Sequence, residues 1–460
     1  MSSLMKNVST AFAILGLAGL MTACSTPTQQ SPTTRAAFPL NVSADGKHLI
    51  DQDGVPFLIQ GDAAWSLIAS PTESGARQYL ENRRLKGFNA VLVNLLEHKF
   101  TAHAPADAAG DQPFTAAGDF STPNEAYFRH VDRILEEADA KGILVMLAPA
   151  YLGFEGGDEG WYQEMVANGE TTLRDYGRYL GARYKDRPNI LWVNGGDYRP
   201  SSNALVNAVA LGILDEDPNH LHTGHCDRGH SAADCFGSEP WLTVDSSYTS
   251  YVTYDQVSRE AAHVPARPSF LLEAIYENEG EATPVLIRSQ AYRALLAGAQ
   301  GQTFGNDPIW SFDGPSLYPP PYSWQTAMDA QGSRDMARLG ALLRDRAWAE
   351  LVPDRDHAVV TSGYGTYATD ASRTDDDYAT TSRTADGTLS LTYLPTRRTV
   401  TVDLTRFSGQ VTAKWYDPTN GDYATISGSP FEAVGSRQFT PTRDNSAGDG
   451  DWVLVLEVGS

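Results

Sequence analysis

Eight short apolar or β-branched segments alternate with helical segments over about 250 residues, and this alternation constrains the fold more than any other feature. Short apolar segments with helices between them are typical of the strands of a parallel sheet. Eight such units predict a (β/α)8 TIM barrel, in which catalytic residues lie at the carboxyl ends of the strands. The predicted strands are Phe57–Gln60, Ala90–Leu95, Leu144–Ala148, Ile190–Val193, Leu221–Thr223, Leu242–Asp245, Phe270–Leu272 and Gln302–Phe304.

The helices between the strands are predicted from the spacing of apolar residues. Glu125–Lys141 carries apolar side chains at helical spacing and stops at Gly142. Leu173–Lys185 and Val285–Gln300 show similar spacing. A doubly wound sheet would also alternate strands and helices, but no glycine-rich dinucleotide-binding motif follows the first strand. The barrel is therefore the favoured fold for residues 37–350.

Segments whose residue pattern indicates short strands and turns flank the predicted barrel. Upstream, two Asp-Gly turns, Asp45-Gly46 and Asp53-Gly54, separate short alternating segments and predict a hairpin. Downstream of about Leu351, helical spacing disappears, and short strands such as LSLTYLP and GDWVLVLEV alternate with turns. Residues 351–460 are therefore predicted to form an all-β domain, most simply a sandwich.

The first 36 residues have the features of an export signal and a tether. Residues 1–24 combine the basic Lys6, an apolar run too short to span a bilayer, and small residues before Cys24. Met-Thr-Ala-Cys resembles a bacterial lipobox, so Cys24 is predicted to be lipidated. Residues 25–36 are polar and proline-rich, as expected of a flexible linker. These segments predict a lipoprotein of the bacterial cell envelope, held to the membrane only by its lipid; a cleaved signal with an incidental cysteine is the alternative.

Composition excludes several classes of protein. The 35 Lys+Arg against 57 Asp+Glu give a net charge of −22, which removes any electrostatic source of non-specific nucleic-acid binding. The 9 Trp, 21 Tyr and 16 Phe are too many for a disordered chain. The sequence contains no P-loop, HExxH or GxSxG motif, and no cofactor is expected.

A segment rich in histidine and cysteine, from His220 to Cys235, raises the question of a metal site. Its four histidines, two cysteines and two aspartates do not match a zinc-binding spacing. In an exported protein, a disulfide between Cys226 and Cys235 is the simpler interpretation. Cys24 then remains for the lipid, and no metal is expected.

Two carboxylates directly after predicted strands are the best candidates for catalysis. The fourth strand runs into Gly195-Gly196-Asp197, and the seventh runs into Glu273. An ionisable residue directly after an apolar strand is costly to bury, so it is usually paired or functional. Retaining glycosidases use two carboxylates, of which one protonates the leaving oxygen and the other attacks the anomeric carbon. A capping or salt-bridge role for each is the alternative.

Polar and aromatic side chains at other strand ends are predicted to bind the substrate. Carboxylates and amides hydrogen-bond sugar hydroxyls, and aromatic rings stack on apolar sugar faces. For Trp65 or Trp310 taken alone, packing in the hydrophobic core is an equally good interpretation. Glu277 is also the reserve candidate for the role given to Glu273. The predicted substrate-binding residues are Asp62, Trp65, Asn94, His98, Tyr151, Ser247, Tyr276, Glu277 and Trp310.

A series of motifs between about Phe38 and Pro353 carries a family resemblance. GDAAW, NILWVNGGD, LLEAIYE and AYRALLAGAQGQTFGNDPIW follow one another in that order. In this order they resemble the apiosidase-like glycoside hydrolases (glycoside hydrolase family 140, formerly a domain of unknown function). The tail, with LTYLP, VTAKWYDPTNG and DWVLVLEV, resembles the small collagen-binding-type β domain that follows the barrel in that family.

The resemblance implies a (β/α)8 barrel that hydrolyses glycosidic bonds in plant cell-wall pectin and releases apiose-bearing side chains. It places the family's catalytic pair on Asp197 and Glu273, with Asp197 as general acid/base and Glu273 as nucleophile. Two departures from the family's motifs concern the identity of the substrate. Ala63 stands where the first motif usually has threonine, and Ala274 stands where the second usually has proline.

Three functional hypotheses follow from the sequence. The first is a surface-anchored glycoside hydrolase, retaining in mechanism, whose partner is a plant- or algal-type polysaccharide or its oligosaccharides. The second is a non-catalytic surface glycan-binding or adhesion lipoprotein, against which the intact carboxylate pair argues. The third is a hydrolase whose β domain binds a protein such as collagen.

Overall fold

The computed structural model describes residues 35–250, 252–280, 282–370 and 376–459. The predicted signal peptide, Cys24 and most of the predicted linker lie outside these residues. The described chain begins with a short antiparallel hairpin of β1 (Asn41–Val42) and β2 (Leu49–Ile50), with Asn41 opposite Ile50.

Eight parallel strands form the barrel, so the fold predicted for the first domain is confirmed. They are β3 (Ile59–Ala63), β4 (Ala90–Asn94), β5 (Leu144–Ala148), β6 (Ile190–Gly195), β7 (His222–His225), β8 (Asp245–Tyr248), β9 (Ser269–Glu273) and β10 (Gly301–Phe304). Their order is β7-β6-β5-β4-β3-β10-β9-β8. The two end strands meet where Ser246 Oγ donates to the Gly224 carbonyl at 2.5 Å. Because all the paired strands run parallel, their carboxyl ends lie at one rim.

Helices follow most strands and cover the outside of the barrel. They are α1 (Glu73–Leu85), α2 (Glu125–Ala140), α3 (Tyr162–Tyr184), α4 (Ala204–Glu216), α5 (Ala232–Phe236), α6 (Thr253–Glu260), α7 (Pro284–Leu296), α8 (Trp324–Ala327) and α9 (Gln331–Arg344). Thr72 caps α1 by accepting from the Gly75 N–H, and Asn124 caps α2 by accepting from the Ala126 N–H. The described part of the chain also has 3-10 turns at Phe154–Gly156, Trp348–Glu350 and Leu404–Arg406. None of the helices in the described ranges is long and apolar enough to cross a membrane.

Several barrel strands, among them β4 and β5, are apolar on both faces because both faces are buried. In β5, Leu144, Met146 and Ala148 point into the barrel, whereas Val145 and Leu147 point out to the helices. Successive side chains of a strand point to opposite faces, and a parallel sheet covered by helices leaves neither face in water. A residue at a strand end therefore faces the barrel axis if it lies an even number of residues from another axis-facing residue of that strand, and it faces the helices otherwise.

The second domain consists of two antiparallel sheets. Its strands are β11 (Leu351–Pro353), β12 (Val360–Ser362), β13 (Thr380–Thr384), β14 (Leu389–Leu394), β15 (Val400–Asp403), β16 (Val411–Tyr416), β17 (Tyr423–Thr425), β18 (Ser436–Phe439) and β19 (Trp452–Val458). The larger sheet has the order β11-β13-β14-β19-β16-β17, and the smaller has the order β12-β15-β18. Val402 and Phe439 of the smaller sheet share a buried core with Ala413 and Leu454 of the larger one. The two sheets therefore pack face to face, as in a sandwich.

The other face of the larger sheet packs on the barrel through α7 and α9. Leu391 and Tyr393 of β14 belong to one buried cluster with Ile287, Tyr292 and Met336 from these helices. The rings of Tyr292 and Tyr393 are stacked, with centroids 4.9 Å apart and an interplanar angle of 6°. Because both faces of this sheet are buried, the β domain and the barrel share a core.

A buried ion cluster lies in the same interface. The Arg288 guanidinium of α7 donates to Asp335 of α9 at 2.9 Å, to Asp449 at 2.6 Å and to both oxygens of Asp451 at 2.8 Å. The side chains of Arg288, Asp335 and Asp451 are fully inaccessible to solvent. A charge buried this completely needs its partners, so the barrel depends on two aspartates of the β domain.

Candidate active site

A cavity of about 550 Å³ opens at the carboxyl ends of the barrel strands. This volume is within the usual range for small-molecule sites, and the position is where barrel enzymes bind their substrates. Five carboxylates line it, those of Glu159, Asp197, Glu273, Glu279 and Asp307, together with Arg228. Its aromatic lining consists of Trp65, Phe100, Tyr151, Phe154, Tyr248, Tyr276, Trp310 and Tyr318.

Two glycines at the end of β6 turn the chain sharply before Asp197. Gly195 has a φ of +102°, and a Cβ at this position would lie 2.4 Å from the His225 carbonyl oxygen. A Cβ on Gly196 would lie 2.4 Å from the Leu152 backbone nitrogen. A side chain at either place would collide with the backbone, so only glycine permits this turn. The turn brings the Asp197 carboxyl into the cavity wall.

The protonation of Asp197 is set by its surroundings. Burial raises the pKa of Asp197 from 3.8 to about 6, and the charge of Glu273 adds to this effect. The charges of His225 and Arg228 act in the opposite direction and lower the pKa of Asp197. A carboxyl group with a pKa near 6 can donate a proton near neutral pH and take one back afterwards.

Glu273, the last residue of β9, is held by two hydrogen-bond donors. The Tyr276 hydroxyl donates to Oε1 at 2.8 Å, and His225 Nε2 donates to Oε2 at 2.7 Å. Trp65 Nε1 in turn donates to the Tyr276 hydroxyl at 2.9 Å, so the tyrosine proton is left for Glu273. A carboxylate held at both oxygens has a fixed direction, as a nucleophile requires.

His225 connects the two carboxylates electrostatically. Burial lowers the pKa of His225, but the hydrogen bond to Glu273 and the charges of Glu273 and Asp197 outweigh burial, so this pKa is raised. The rings of Tyr248, Trp65 and Tyr151 surround the imidazole, with centroids 5.2, 5.7 and 5.9 Å away. The imidazole thus has a fixed position between the aromatic wall and Glu273.

Five of the nine residues predicted to bind substrate line the cavity: Trp65, Asn94, Tyr151, Tyr276 and Trp310. Asn94 Oδ1 is buried and has no hydrogen-bond partner among the described residues. A buried acceptor without a partner is costly, so this oxygen is available to a substrate hydroxyl. Trp310 packs edge-on against Phe100, with centroids 4.7 Å apart. Its ring therefore belongs to the wall as well as to the core.

The structure does not bring Asp62 and Ser247 to the cavity, because both side chains point out of the barrel. Asp62 is fully buried, accepts from the Tyr79 hydroxyl at 2.6 Å and pairs with Arg83 at 3.0 Å. Ser247 donates to Glu260 of α6. Both residues occupy positions of their strands that face the helices, which the sequence did not distinguish from positions that face the barrel axis.

His98 and Glu277 are not among the residues that line the cavity, and both side chains are engaged elsewhere. The His98 ring lies 2.9 Å from the Asp158 carbonyl and 3.2 Å from Glu164. The Glu277 carboxylate accepts from the Asn306 amide at 2.6 Å and from the Gly332 N–H at 2.8 Å. These hydrogen bonds position neighbouring loops.

The prediction made from the sequence missed His225 and Arg228 as site residues. His225 is the last residue of β7, and ionisable residues at or just after strand ends were the candidates for the site. The same criterion applied to β7 selects His225. Arg228 lies three residues further along the loop, and no motif marks it.

Cys226 and Cys235 lie beside this loop with their sulfurs bonded and their Cα atoms 6.4 Å apart. Within the described residues, one group of histidine, cysteine or carboxylate side chains is close enough to hold a metal ion: Cys226, Asp227 and Cys235. The bond between the sulfurs leaves Asp227 as a single ligand, which is too few for a stable site.

Comparison with known families decides the class of the barrel. The model of the "Apiosidase-like, catalytic domain" family matches residues 43–350. The chain belongs to the apiosidase-like family. The model described as "Putative collagen-binding domain of a collagenase" matches residues 366–457 of the β domain. None of the curated proteins matches this apiosidase-like chain.

Solved structures agree with this classification. A structure named "Glycoside hydrolase" is 26% identical with a TM-score of 0.78, and the match covers 92% of this chain and 97% of the other. A protein from Bacteroides vulgatus, named as a glycoside hydrolase of family 5, is 25% identical with a TM-score of 0.78 over 92% and 95% of the two chains. A family 5 mannosidase from Rhizomucor miehei, 14% identical with a TM-score of 0.50 over 67% and 98% of the two chains, shares the fold alone. The apiosidase-like chain is therefore a glycoside hydrolase, and the non-catalytic alternative is set aside.

Proposed function

We propose that this apiosidase-like hydrolase is a retaining enzyme that removes sugars from a plant- or algal-type polysaccharide, as an apiosidase acting on pectic side chains does. One observation carries the proposal: a carboxyl group with a pKa near 6 and a carboxylate held by two donors line the same cavity. Two carboxyl groups with separate environments and separate roles are what retaining glycosidases require. The family description supports the choice of sugar.

In the first step, Glu273 attacks the anomeric carbon while Asp197 acts as general acid. A bond forms between a Glu273 oxygen and the anomeric carbon, and the glycosidic carbon–oxygen bond breaks. The proton of Asp197 passes to the leaving oxygen, so the departing sugar leaves as an alcohol. Tyr276 and His225 hold the attacking carboxylate in line throughout.

In the second step, water replaces the enzyme on the sugar. Asp197, now ionised, takes a proton from a water molecule, and the water oxygen bonds to the anomeric carbon. The bond to Glu273 breaks, and the carboxylate is restored. Two inversions leave the anomeric configuration unchanged, and the sum of both steps consumes one water molecule.

Variants of the two carboxylates test their roles separately. Glu273→Ala is expected to be inactive and to regain turnover with azide, giving a glycosyl azide of inverted configuration. Asp197→Ala is expected to lose ~10²–10⁴-fold on natural linkages, the usual contribution of general acid catalysis, yet to act on aryl glycosides whose leaving group needs no proton. Glu170→Gln, which removes an exposed charge from α3, is the matched control. An active Glu273→Ala without azide would overturn the assignment.

The substrate is tested with the soluble mature protein and a panel of pectic and algal oligosaccharides. Release of apiose, identified by chromatography against standards, is the expected result, and proton NMR of the first product shows whether its configuration is retained. Release of another sugar would overturn the apiosidase assignment but leave the mechanism intact. An initial product of inverted configuration would overturn the mechanism.

We also propose that the enzyme is a lipoprotein of the bacterial cell envelope, anchored through Cys24. The support is the sequence of residues 1–24, with its lipobox-like end. Incorporation of labelled palmitate by the wild type but not by Cys24→Ala is the expected result. Equal labelling of both, or of neither, would contradict the proposal.

A further inference from the structure

Three large apolar side chains that line the cavity are exposed to solvent: Phe154, Leu317 and Tyr318. Their exposed fractions are 54%, 62% and 38%, whereas the Glu273 side chain is 14% exposed. These three residues, which we call the mouth, therefore lie further out than the nucleophile. One exposed apolar side chain needs no explanation, but several at the opening of one cavity mark a surface that a ligand covers.

Phe154 is tied to the proposed general acid. It is the first residue of a 3-10 turn between β5 and α3, and the Glu155 N–H of this turn donates to the Asp197 carbonyl at 3.1 Å. The Gln163 amide donates to the Gly156 carbonyl of the same turn at 2.8 Å. The turn is thus held from both ends, and Phe154 lies on the side of the cavity that holds Asp197.

Leu317 and Tyr318 belong to the loop that follows β10, and this loop is tied to the cavity wall. Ser316 Oγ donates to Asp307 Oδ1, and the Tyr318 N–H donates to Ser316 Oγ at 3.4 Å. Asp307 lines the cavity, and its own N–H donates to the Glu277 carbonyl at 2.9 Å. The residues on both sides of Leu317 are therefore anchored, and its side chain is held exposed at the mouth.

The second carboxylate oxygen of Asp307 is a buried acceptor. Asp307 is 1% exposed, and its Oδ2 has no hydrogen-bond partner among the described residues. The Trp310 side chain lies close enough to lower the pKa of Asp307, but it makes no hydrogen bond of ordinary geometry with Oδ2. A buried acceptor without a partner is costly, so this oxygen is available to a hydroxyl of a ligand in the cavity.

We propose that the mouth binds the sugar that departs in the first step, with Phe154 and Leu317 against its apolar face and Asp307 Oδ2 accepting from one of its hydroxyls. This inference rests on the proposed function, because Asp197 protonates the oxygen of that departing sugar. Phe154 is bonded to Asp197 through the adjacent Glu155, so the leaving oxygen and the mouth lie on the same side. A sugar ring has an apolar C–H face and hydroxyls at its edge, which these two kinds of contact match.

The mouth therefore acts on the departing part of the substrate and not on the sugar that Glu273 attacks. It contributes to the hydrolysis of an oligosaccharide, but it contributes nothing when the leaving group is a small ion. About half of the Phe154 and Leu317 side chains is exposed in the free protein, and a bound sugar removes that apolar surface from water. Each of the two side chains is expected to contribute roughly 10-fold to kcat/KM for an oligosaccharide.

Two substrates with the same cleaved sugar separate the mouth from the catalytic pair: an apiose-bearing pectic oligosaccharide, and apiosyl fluoride, whose leaving group is fluoride. The double variant Phe154→Ser/Leu317→Ser is expected to lower kcat/KM by roughly 30–100-fold for the oligosaccharide and by less than about 3-fold for the fluoride. Val264→Ser, which removes a 94% exposed apolar side chain from the loop before β9, is the matched control and is expected to follow the wild type. Equal losses on both substrates, or no loss on either, would overturn the inference.

Calorimetry on the inactive Glu273→Gln protein measures the mouth without turnover. The ligands are the pectic oligosaccharide from which apiose has been removed, and free apiose. Adding Asp307→Asn, which replaces the free acceptor by a donor, is expected to weaken the oligosaccharide roughly 10-fold and apiose by less than about 3-fold. Adding Ser316→Ala instead removes the tie to the loop and leaves the acceptor. A loss as large with Ser316→Ala as with Asp307→Asn would show that Asp307 acts only through the loop and would overturn its contact with the sugar.

Failure of the proposed function gives a different result. In that case the wild type releases no apiose from either substrate, while the loss of oligosaccharide binding caused by Phe154→Ser/Leu317→Ser in the Glu273→Gln protein is still measured. A wild type that releases apiose, and mouth variants that release it from the oligosaccharide equally well, would overturn the mouth and leave the hydrolase intact. Absence of both turnover and binding would overturn both proposals.

Discussion

Replacement of Asp197 by asparagine is expected to stabilise the folded protein at neutral pH although it removes the catalytic acid. Burial raises the pKa of Asp197 from 3.8 to about 6, with a further contribution from Glu273. The folded protein therefore holds the ionised carboxylate in an environment less favourable than that of the unfolded chain. An amide of the same shape carries no charge and avoids this loss.

The size of the effect follows from the pKa difference. About two units at about 1.4 kcal/mol per unit give roughly 3 kcal/mol, which partial solvent access reduces to about 2 kcal/mol. Between pH 3.8 and about 6 the folded protein binds more protons at Asp197 than the unfolded chain does. The free energy of unfolding of the wild type therefore falls relative to Asp197→Asn as pH rises through this window, and the difference is constant above it.

Urea unfolding of both proteins at a series of pH values measures this difference. The two free energies are expected to approach each other near pH 4 and to separate by about 2 kcal/mol at pH 7. Glu170→Gln, an exposed substitution of the same charge type, is expected to follow the wild type within about 0.5 kcal/mol. A difference that does not change with pH, or a variant less stable than the wild type at pH 8, would refute the reasoning.

Three further variants test the interface, the nucleophile and the loop. Arg288→Met is expected to cost about 3–5 kcal/mol in urea unfolding because it removes the buried positive charge that Asp335 and Asp451 share. Arg84→Met on the surface is expected to cost less than about 1 kcal/mol. Tyr276→Phe is expected to lower kcat about 10–100-fold with little change in KM, since the hydroxyl holds Glu273; a change confined to KM would contradict this role. The double variant Cys226→Ser/Cys235→Ser is expected to lose about 2–3 kcal/mol, and reducing agent should cause no further loss in it.

The barrel could be predicted from the sequence because several of its strands, such as β4, β5 and β6, are short apolar segments buried on both faces. Leu144–Ala148 was located to the residue, since apolar side chains fill all its positions. The first and sixth strands lie two to three residues further along than predicted, at Ile59–Ala63 and Asp245–Tyr248. Both contain polar residues that a hydrophobic pattern excludes but that neighbouring elements bind, such as Asp62 with Arg83.

The candidate site could be predicted in part, because residues near strand ends fall close to the cavity. The pattern gave no means of deciding which way such a residue points. Asn94 lies two residues beyond Leu92, whose side chain points into the barrel, and it reaches the cavity. Asp62 lies one residue beyond Gly61 and faces α1 instead. A shift of one residue in the assumed position of a strand moves each side chain from the axis-facing side to the helix-facing side. Whether a strand-end residue reaches the cavity therefore depends on the strand register.

The electrostatics of the site depend on residues that are distant in the sequence. The pKa of Asp197 reflects burial first, then the opposing charge of His225, and then Glu273 and Arg228. These groups come from β7, β9 and a loop, and no local pattern contains their combination. One consequence distinguishes this arrangement from a simple pair of carboxylates. A substitution of Arg228 that removes its positive charge raises the pKa of Asp197. It therefore moves the alkaline limb of the activity profile to higher pH without removing a hydrogen bond from either carboxylate.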